Sequence, residues 1–369
     1  MNATPTGAAP TGAAPTGAAP TGAATDEFHR RVITDAAAAV RGLTVALGER
    51  LGLYRALAEH GPLTPEELAK HTGIAPRYAE EWLHAQLSAD YVERHPSSNQ
   101  YTLPAAHAPV LADGSAVTFT AGFFTALKAL YATEDQLVDA YRTGEGVGWA
   151  EHDPALDTGM GSLFQPSYQH RLVPEWLPAL DGVTERLANG GRVADVGCGI
   201  GHTTRLIAQA FPNATVYGFD YSEEAISIAR QLADDAGLGD RVVFETASAD
   251  DYPGRDYDLV TFFNCLHDMG DPEAAAAHVR GTLTADGTWM LVETNASADD
   301  VTGDTPAARM FMSLSAVMCL PVAVAQRGPY ALGNHAGEKA FRRIAEAGGF
   351  TRWRRATETP VNAVYEARP

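Results

Sequence analysis

The sequence predicts an α/β protein built on a mainly parallel sheet, with a smaller, mainly helical domain ahead of it. Three observations carry that prediction. Beyond Gly191, short apolar strands alternate with amphipathic helices. Before Leu111, apolar spacing is helical and ends in two short extended runs. Within the region beyond Gly191, the glycine-rich run Gly197-Cys-Gly199-Ile-Gly201 falls after a predicted strand and before a predicted helix. The 369 residues, 45% hydrophobic and 20% charged, suffice for two domains with a sizeable core.

Taken in chain order, the first segment repeats TGAAP from Thr6 to Pro20, closes with TGAAT at Thr21 to Thr25, and carries no charged side chain before Asp26. Such a Pro/Gly/Ala tract cannot build a core and reads as a disordered tail over 1–25; it lacks the basic flank and apolar stretch of a secretory signal. Residues 26–112 read as helices followed by a hairpin. Thr64-Pro65-Glu66-Glu67 offers a cap, a proline at the first helical position and Glu67 at the third, with Gly73 closing the helix. Pro76 opens a second helix, on which Tyr78, Trp82 and Ala85 are expected to share a face. Tyr91 to Arg94, a Pro-Ser-Ser-Asn turn and Tyr101 to Leu103 then form a hairpin. Helix, helix, hairpin describes a winged helix.

A winged helix invites a DNA-binding reading, and charge argues against it. Residues 26–111 hold eleven Asp or Glu against eight Lys or Arg, and the would-be recognition helix Arg77 to Leu87 sets Arg77 against Glu80 and Glu81. The whole chain has a formal net charge of −19, which repels a phosphate backbone. The expected roles for this domain are dimerisation and covering a substrate. Residues 113–180 read as a helical connector and pocket roof, with a Gly-rich loop from Gly144 to Gly148. The longest apolar stretch is expected near Ala121 to Tyr131, far short of the ~20 residues a spanning helix needs. Neither nucleic acid nor membrane is expected as a partner.

From 181 to 369 the strand-like runs are Val193 to Val196, Thr215 to Asp220, Arg241 to Glu245, Tyr257 to Phe263, Thr288 to Glu293, and an antiparallel ending at Phe350 to Ala356 and Val361 to Ala367. The run Val193-Ala-Asp195-Val-Gly197-Cys-Gly199-Ile-Gly201-His-Thr-Thr lets backbone approach a ligand at the carboxyl edge of the sheet. A dinucleotide fingerprint would place its third glycine where His202 stands, so this spacing argues against NAD. Asp220 ends the second strand, where a carboxylate can accept both hydroxyls of a ribose; Tyr221 can pack on a base. The alternative for Asp220 is a helix cap before Ser222. After the third strand, Asp250 can meet an adenine amino group.

These three stations in order resemble the class I S-adenosylmethionine-dependent methyltransferases. Adding the winged helix and Phe262-Phe-Asn264-Cys-Leu-His267-Asp268-Met narrows the resemblance to small-molecule enzymes of the caffeate and hydroxyindole O-methyltransferase type, and more closely to their bacterial relatives. The resemblance implies a Rossmann-like seven-stranded methyltransferase core, a homodimer, a cytoplasmic enzyme of secondary metabolism, and S-adenosyl-L-methionine as cofactor. It implies cofactor contacts at Asp195, Gly197, Gly199, Gly201, Asp220, Tyr221, Asp250, Asn264 and Tyr168. It also implies that His267 is the general base and that Glu293 orients it; near its ordinary pKa of about 6.5, a histidine accepts a proton at neutral pH. Oxygen is the expected methyl-receiving atom. Transfer to nitrogen, carbon or sulfur, a non-methylating reaction on the bound cofactor, and a ligand-responsive DNA-binding regulator remain as alternatives. This sequence departs from the plant pattern, with Met269-Gly270 where Trp-Ser is usual and a different segment over Asp299 to Gly337.

Softer candidates are Phe164 and His170, on one helix with Tyr168, and the adaptable apolar group Met310, Phe311, Met312 and Met318. Cys198, Cys265 and Cys319 lie far apart, without the spacing of a disulfide framework or a thiolate zinc site, and fit a reducing cytoplasm. No second histidine stands at ligand spacing from His267, and no metal is expected.

Overall fold

A computed structural model describes residues 22–295 and 305–369. Most of the TGAAP tract, residues 1–21, and the stretch 296–304 of the variable segment lie outside the described residues. The first helix, α1 (Gly22–Arg50), already includes Gly22 to Thr25, so the helical region begins earlier than the repeat suggested. The alanines that close the tract are good helix formers once no proline follows them.

In the N-terminal domain, α1 is followed by α2 (Leu53–His60), α3 (Pro65–Thr72) and α4 (Pro76–Leu87), then by the hairpin strands β1 (Glu93–Arg94) and β2 (Tyr101–Thr102). The capping box is formed: Glu67 N donates to Thr64 Oγ1 at 3.2 Å, Thr64 N donates to Glu67 Oε2 at 2.8 Å, and Gly73 takes the left-handed conformation that ends α3. On α4 the buried face is Ala79, Trp82, Leu83 and Gln86; Tyr78 is 76% exposed. The expected Tyr78 face is therefore corrected, because the domain core of Tyr54, Leu57 and Leu68 sits one residue further round the helix. Arg77 pairs with Glu80 and Glu81 on its own helix.

The larger domain is a seven-stranded sheet in the order β5-β4-β3-β6-β7-β9-β8. Its strands are β3 (Arg192–Val196), β4 (Thr215–Asp220), β5 (Val242–Thr246), β6 (Tyr257–Phe263), β7 (Leu283–Thr294), β8 (Arg352–Glu358) and β9 (Asn362–Arg368). The first five are mutually parallel, and β9 inserts antiparallel between β7 and β8. Both faces are covered: Val193 joins one hydrophobic core, while Ala194 and Val196 join the other. The chain runs outward from β3 through β4 to β5, then crosses to β6 on the other side of β3. The crevice at the carboxyl ends of β3 and β6 is thus the switch point where open α/β sheets bind ligands.

A third cluster roofs that edge. Phe123, Leu156 and Met160 of the connector pack with Phe311, Leu314 and Met318 of a helical run over Pro306–Ala325. That run has a mean hydropathy of 1.7 and is long and apolar enough to cross a membrane by length and composition. It outruns the 121–131 stretch, which corrects the sequence expectation. Pro321 reads as a breaker in sequence, yet it stands in the first turn of Leu320–Ala325, where its missing N–H matters least. Phe311, Leu314, Met318 and Cys319 are buried within this chain.

Candidate active site

Five parallel strands deliver the candidate residues to one edge. The turn after β3 bends back because Gly197, Gly199 and Gly201 all have positive φ, at 71°, 52° and 72°. Two of these glycines are fixed by crowding: a Cβ on Gly201 would lie 2.4 Å from the Phe244 ring, and one on Gly197 would lie 2.9 Å from Cys265 Sγ. Gly199 differs, since a Cβ there meets nothing within 4 Å. A side chain at 199 would fill open space above the turn.

Asp195 anchors the turn from beneath. Thr203 and Thr204 donate to its Oδ2 at 2.7 and 2.6 Å, and Thr261 donates to its Oδ1 at 2.8 Å. The residue is fully buried, and that burial pushes its carboxyl above the ordinary range while the three hydroxyls pull it back. Asp195, expected as a cofactor contact, has a structural part in the fold: its Oδ2 accepts two hydrogen bonds and its Oδ1 one, and these tie β3, β6 and the helix His202–Ala210 together. Thr203 and Thr204 follow the glycine run directly, whereas Thr261 carries no signal in sequence.

Asp220 closes the other side. Gly199 N donates to its Oδ2 and Ser222 N to its Oδ1, each at 2.9 Å, and burial raises its pKa. Ser222, not Asp220, caps the next helix, its Oγ accepting from Ala225 N. Each Asp220 oxygen retains capacity to accept a further hydrogen bond. Tyr221, beside it, is 56% exposed, and Asp250 beyond β5 is exposed, accepting from Ser248 Oγ.

After β6, Asn264 takes a left-handed conformation with φ 50°, donates through Nδ2 to the Tyr168 hydroxyl at 2.6 Å, and donates through its backbone N–H to Val292 O. Asn362 reaches its Oδ1 at 3.4 Å. Tyr168 is buried against Phe263 and Trp176, with Phe164 stacked on it, and burial raises its phenol pKa. His170 points elsewhere, to Ser115 O at 2.7 Å.

The His267 and Glu293 side chains are brought together. Glu293 ends β7 without exposed surface; its Oε2 pairs with His267 Nδ1 and its Oε1 accepts from Leu266 N at 3.1 Å. On the far side, His267 Nε2 lies 3.4 Å from Asp268 Oδ1, and Cys319 also faces the ring. His267 is only 3% exposed. Burial disfavours a charged ring, but the Asp268 and Glu293 carboxylates outweigh it and hold the pKa well above histidine's ordinary value. The sequence reading took a histidine near its ordinary pKa, whereas these two carboxylates shift this ring above it. Asp268 is pushed up to about 6 by burial, and the Cys319 thiol up to about 12 for the same reason. Sequence reasoning missed Cys319: it arrives on a π-helical turn, Ser315–Cys319, which no periodicity announces. Cys198 and Cys265 are also free thiols raised by burial, and His335 Nδ1 meets Ser315 Oγ at 3.1 Å.

With this geometry in place, comparison with known families is informative. Residues 194–289 match the family described as a methyltransferase domain, and residues 38–113 match the Rv2258c-like winged HTH domain. The chain carries a methyltransferase domain behind a winged helix. A trans-aconitate 2-methyltransferase of Streptomyces avermitilis is 38% identical over 92 residues, which cover 25% of this chain and 34% of that protein. The chain thus spans about a third of the length of that curated relative. Among solved structures, the mitomycin 7-O-methyltransferase MmcR aligns with a TM-score of 0.68 at 19% identity, over 94% of this chain and 98% of that one. Human N-acetylserotonin methyltransferase in complex with SAM aligns with a TM-score of 0.67 at 16% identity, over 96% and 99%. These likenesses show the fold: a seven-stranded methyltransferase core with a winged helix.

Proposed function

We propose that this chain is a methyltransferase that uses S-adenosyl-L-methionine to methylate the hydroxyl oxygen of a small organic molecule. The observation that carries the reading is the cradle at the switch point: an open face over Gly199, directly beside an Asp220 carboxylate that two backbone N–H groups hold in place. A ribose diol suits that carboxylate, and only a glycine at 199 leaves the space free. Tyr221 and Asp250 would bound the adenine end, and Tyr168 with Asn264 the methionine end. The bound cofactor supplies an electrophilic sulfonium methyl.

The acceptor would lie between that cradle and the apolar roof of Met160, Phe311 and Met318, which favours an apolar body. Alignment is the larger part of such a transfer, with effective molarities that reach about 10⁵ M or more. Glu293 fixes the His267 ring, and the ring sets the acceptor end. A role in bacterial secondary metabolism follows from family resemblance and from likeness to MmcR, and unpaired thiols among the described residues fit a reducing cytoplasm.

We place the dimer contact on α1. This helix, about 44 Å long at 1.5 Å per residue, buries only Gly42, Val45 and Gly48 and exposes Phe28 and Val32, four residues apart, and Val40, Leu43 and Leu47, three and four apart. A second copy is the natural cover for such a stripe. Light scattering should find a dimer that Leu43→Glu with Leu47→Glu converts to a monomer.

The activity test is a screen of phenols, carboxylates, amines and keto acids with the purified chain, read by mass spectrometry. The expected result is S-adenosylhomocysteine formed in step with a product heavier by one methyl. Cofactor consumption without a methylated product would replace this reading with a non-methylating one.

A further inference from the structure

We infer that His267, Asp268 and Cys319 form a site for a divalent transition-metal cation of zinc type, with one coordination position open toward the methyl acceptor. The inference rests on reading this edge of the sheet as the acceptor end. Among the described residues this is the one group of three or more His, Cys, Asp or Glu whose ligand atoms converge, all within 4.8 Å of one another.

The donor set is selective. Imidazole nitrogen, thiolate sulfur and carboxylate oxygen are the three ligand types zinc accepts in tetrahedral sites, with ligand-to-ligand edges of about 3.5 Å implied by Zn–S of about 2.3 Å and Zn–N of about 2.0–2.1 Å. Side-chain rotation closes the remaining gap. His267 and Cys319 are 3% and 1% exposed, so these ligands are shielded from bulk water.

Two further features point into the cluster. Asp268 Oδ1 is buried and makes no hydrogen bond; its nearest charged neighbour is His267 Nε2 at 3.4 Å. A buried carboxylate oxygen without a hydrogen bond is costly unless something positive meets it. Then Glu293 engages Nδ1 and is itself held by Leu266 N–H. Once the ring is neutral, such a carboxylate fixes the tautomer with its proton on Nδ1, whose Nε2 lone pair faces outward as metal-ligating histidines require. The π-helical turn that brings Cys319 here belongs to a class of distortion enriched at functional sites.

Charge balances when the site is filled. Binding takes one proton from the Cys319 thiol and one from the His267 ring, both leave to solvent, and thiolate plus the Asp268 carboxylate cancel the 2+ charge. A cation in that position would bind the acceptor oxygen in its open place and lower the pKa of the hydroxyl.

The test uses the full chain, stripped with chelator and dialysed. Zinc chloride is titrated by calorimetry with and without S-adenosylhomocysteine, and cobalt chloride is followed by absorption. The expected result is one equivalent of zinc, proton release that varies with buffer, and a thiolate-to-cobalt charge-transfer band. Cys319→Ser should abolish that band, Asp268→Asn should weaken zinc at least about tenfold, and Glu293→Gln should weaken it about 10- to 100-fold. Circular dichroism and S-adenosylhomocysteine binding report whether each variant is folded. Zinc uptake below one equivalent, or a cobalt spectrum of the wild-type chain without a thiolate band, would overturn the site. Failure to bind S-adenosylhomocysteine would instead strike the methyl-transfer reading and leave the metal result standing.

Discussion

The two ends of the crevice are built by different means. At the cofactor end, the Gly197 to Gly201 turn and Asp220 follow consecutive strands, and their contacts are backbone N–H groups given to one carboxylate. At the acceptor end, His267, Glu293 and Cys319 come from three distant segments and meet through side-chain charge. The first end is specified by where the chain can bend, the second by which charges tolerate each other in a buried space. Damage at one end should therefore appear as lost binding, and damage at the other as lost stability or turnover.

The largest effect is expected at Glu293, whose carboxylate serves both the His267 ring and the Leu266 N–H. Replacing one partner of a buried charged pair costs about 3–5 kcal/mol, so Glu293→Leu should lower the unfolding free energy measured by urea titration by that much. A loss below about 1 kcal/mol would mean that the pair adds little and that the contrast between the two ends is false. Next is His267→Ala, which should reduce methyl transfer on the order of 10²-fold or more by unsetting the acceptor. Isothermal titration should find its affinity for S-adenosylhomocysteine unchanged; a parallel loss of affinity would merge the two ends into one.

Asp220→Ala should do the converse. Loss of hydrogen bonds to a charged group costs about 1.5–3 kcal/mol, or roughly 10- to 100-fold in cofactor affinity. Saturating cofactor should restore turnover in this variant, and a turnover defect that survives saturation would contradict the division of labour.

The smallest effect concerns pH. His202 opens the helix after the glycine turn, and burial, reinforced by Arg205, depresses its pKa to about 4. The unfolded chain takes up this proton near the ordinary histidine value of about 6.5, while the folded chain resists until about 4. Its contribution is thus intact above the unfolded value and is lost progressively as pH falls toward the folded one. His202→Gln should flatten that part of the melting-temperature profile between those two values, and an unchanged slope would assign the acid sensitivity to other groups.

The same contrast explains how much the sequence disclosed. Thr215 to Asp220 and Tyr257 to Phe263 are readable as strands because each is a short run rich in β-branched and aromatic residues. The glycine turn was readable because its conformational demand lies in adjacent residues. Thr64 and Gly73 marked a helix at both ends through chemistry local to its termini. What stayed hidden depends on tertiary position. Tyr78 and Ala79 are neighbours on α4, and only the location of the domain core decides which one is buried. Asp195 stands in the glycine run like a ligand contact, and three threonines on a helix and a strand make it an anchor. Cys319 meets His267 because a helix widens by one residue per turn, which leaves no mark in apolar spacing. The ring's raised pKa likewise follows from two carboxylates that sequence distance does not bring together.

A crystal structure of the chain with S-adenosylhomocysteine tests the central claim most directly. The account predicts the ribose hydroxyls on Asp220, the ligand backbone passing over Gly199, and the sulfur directed toward the edge where His267 stands. A folded protein that binds this compound elsewhere, or excludes it while the crevice is open, would contradict it.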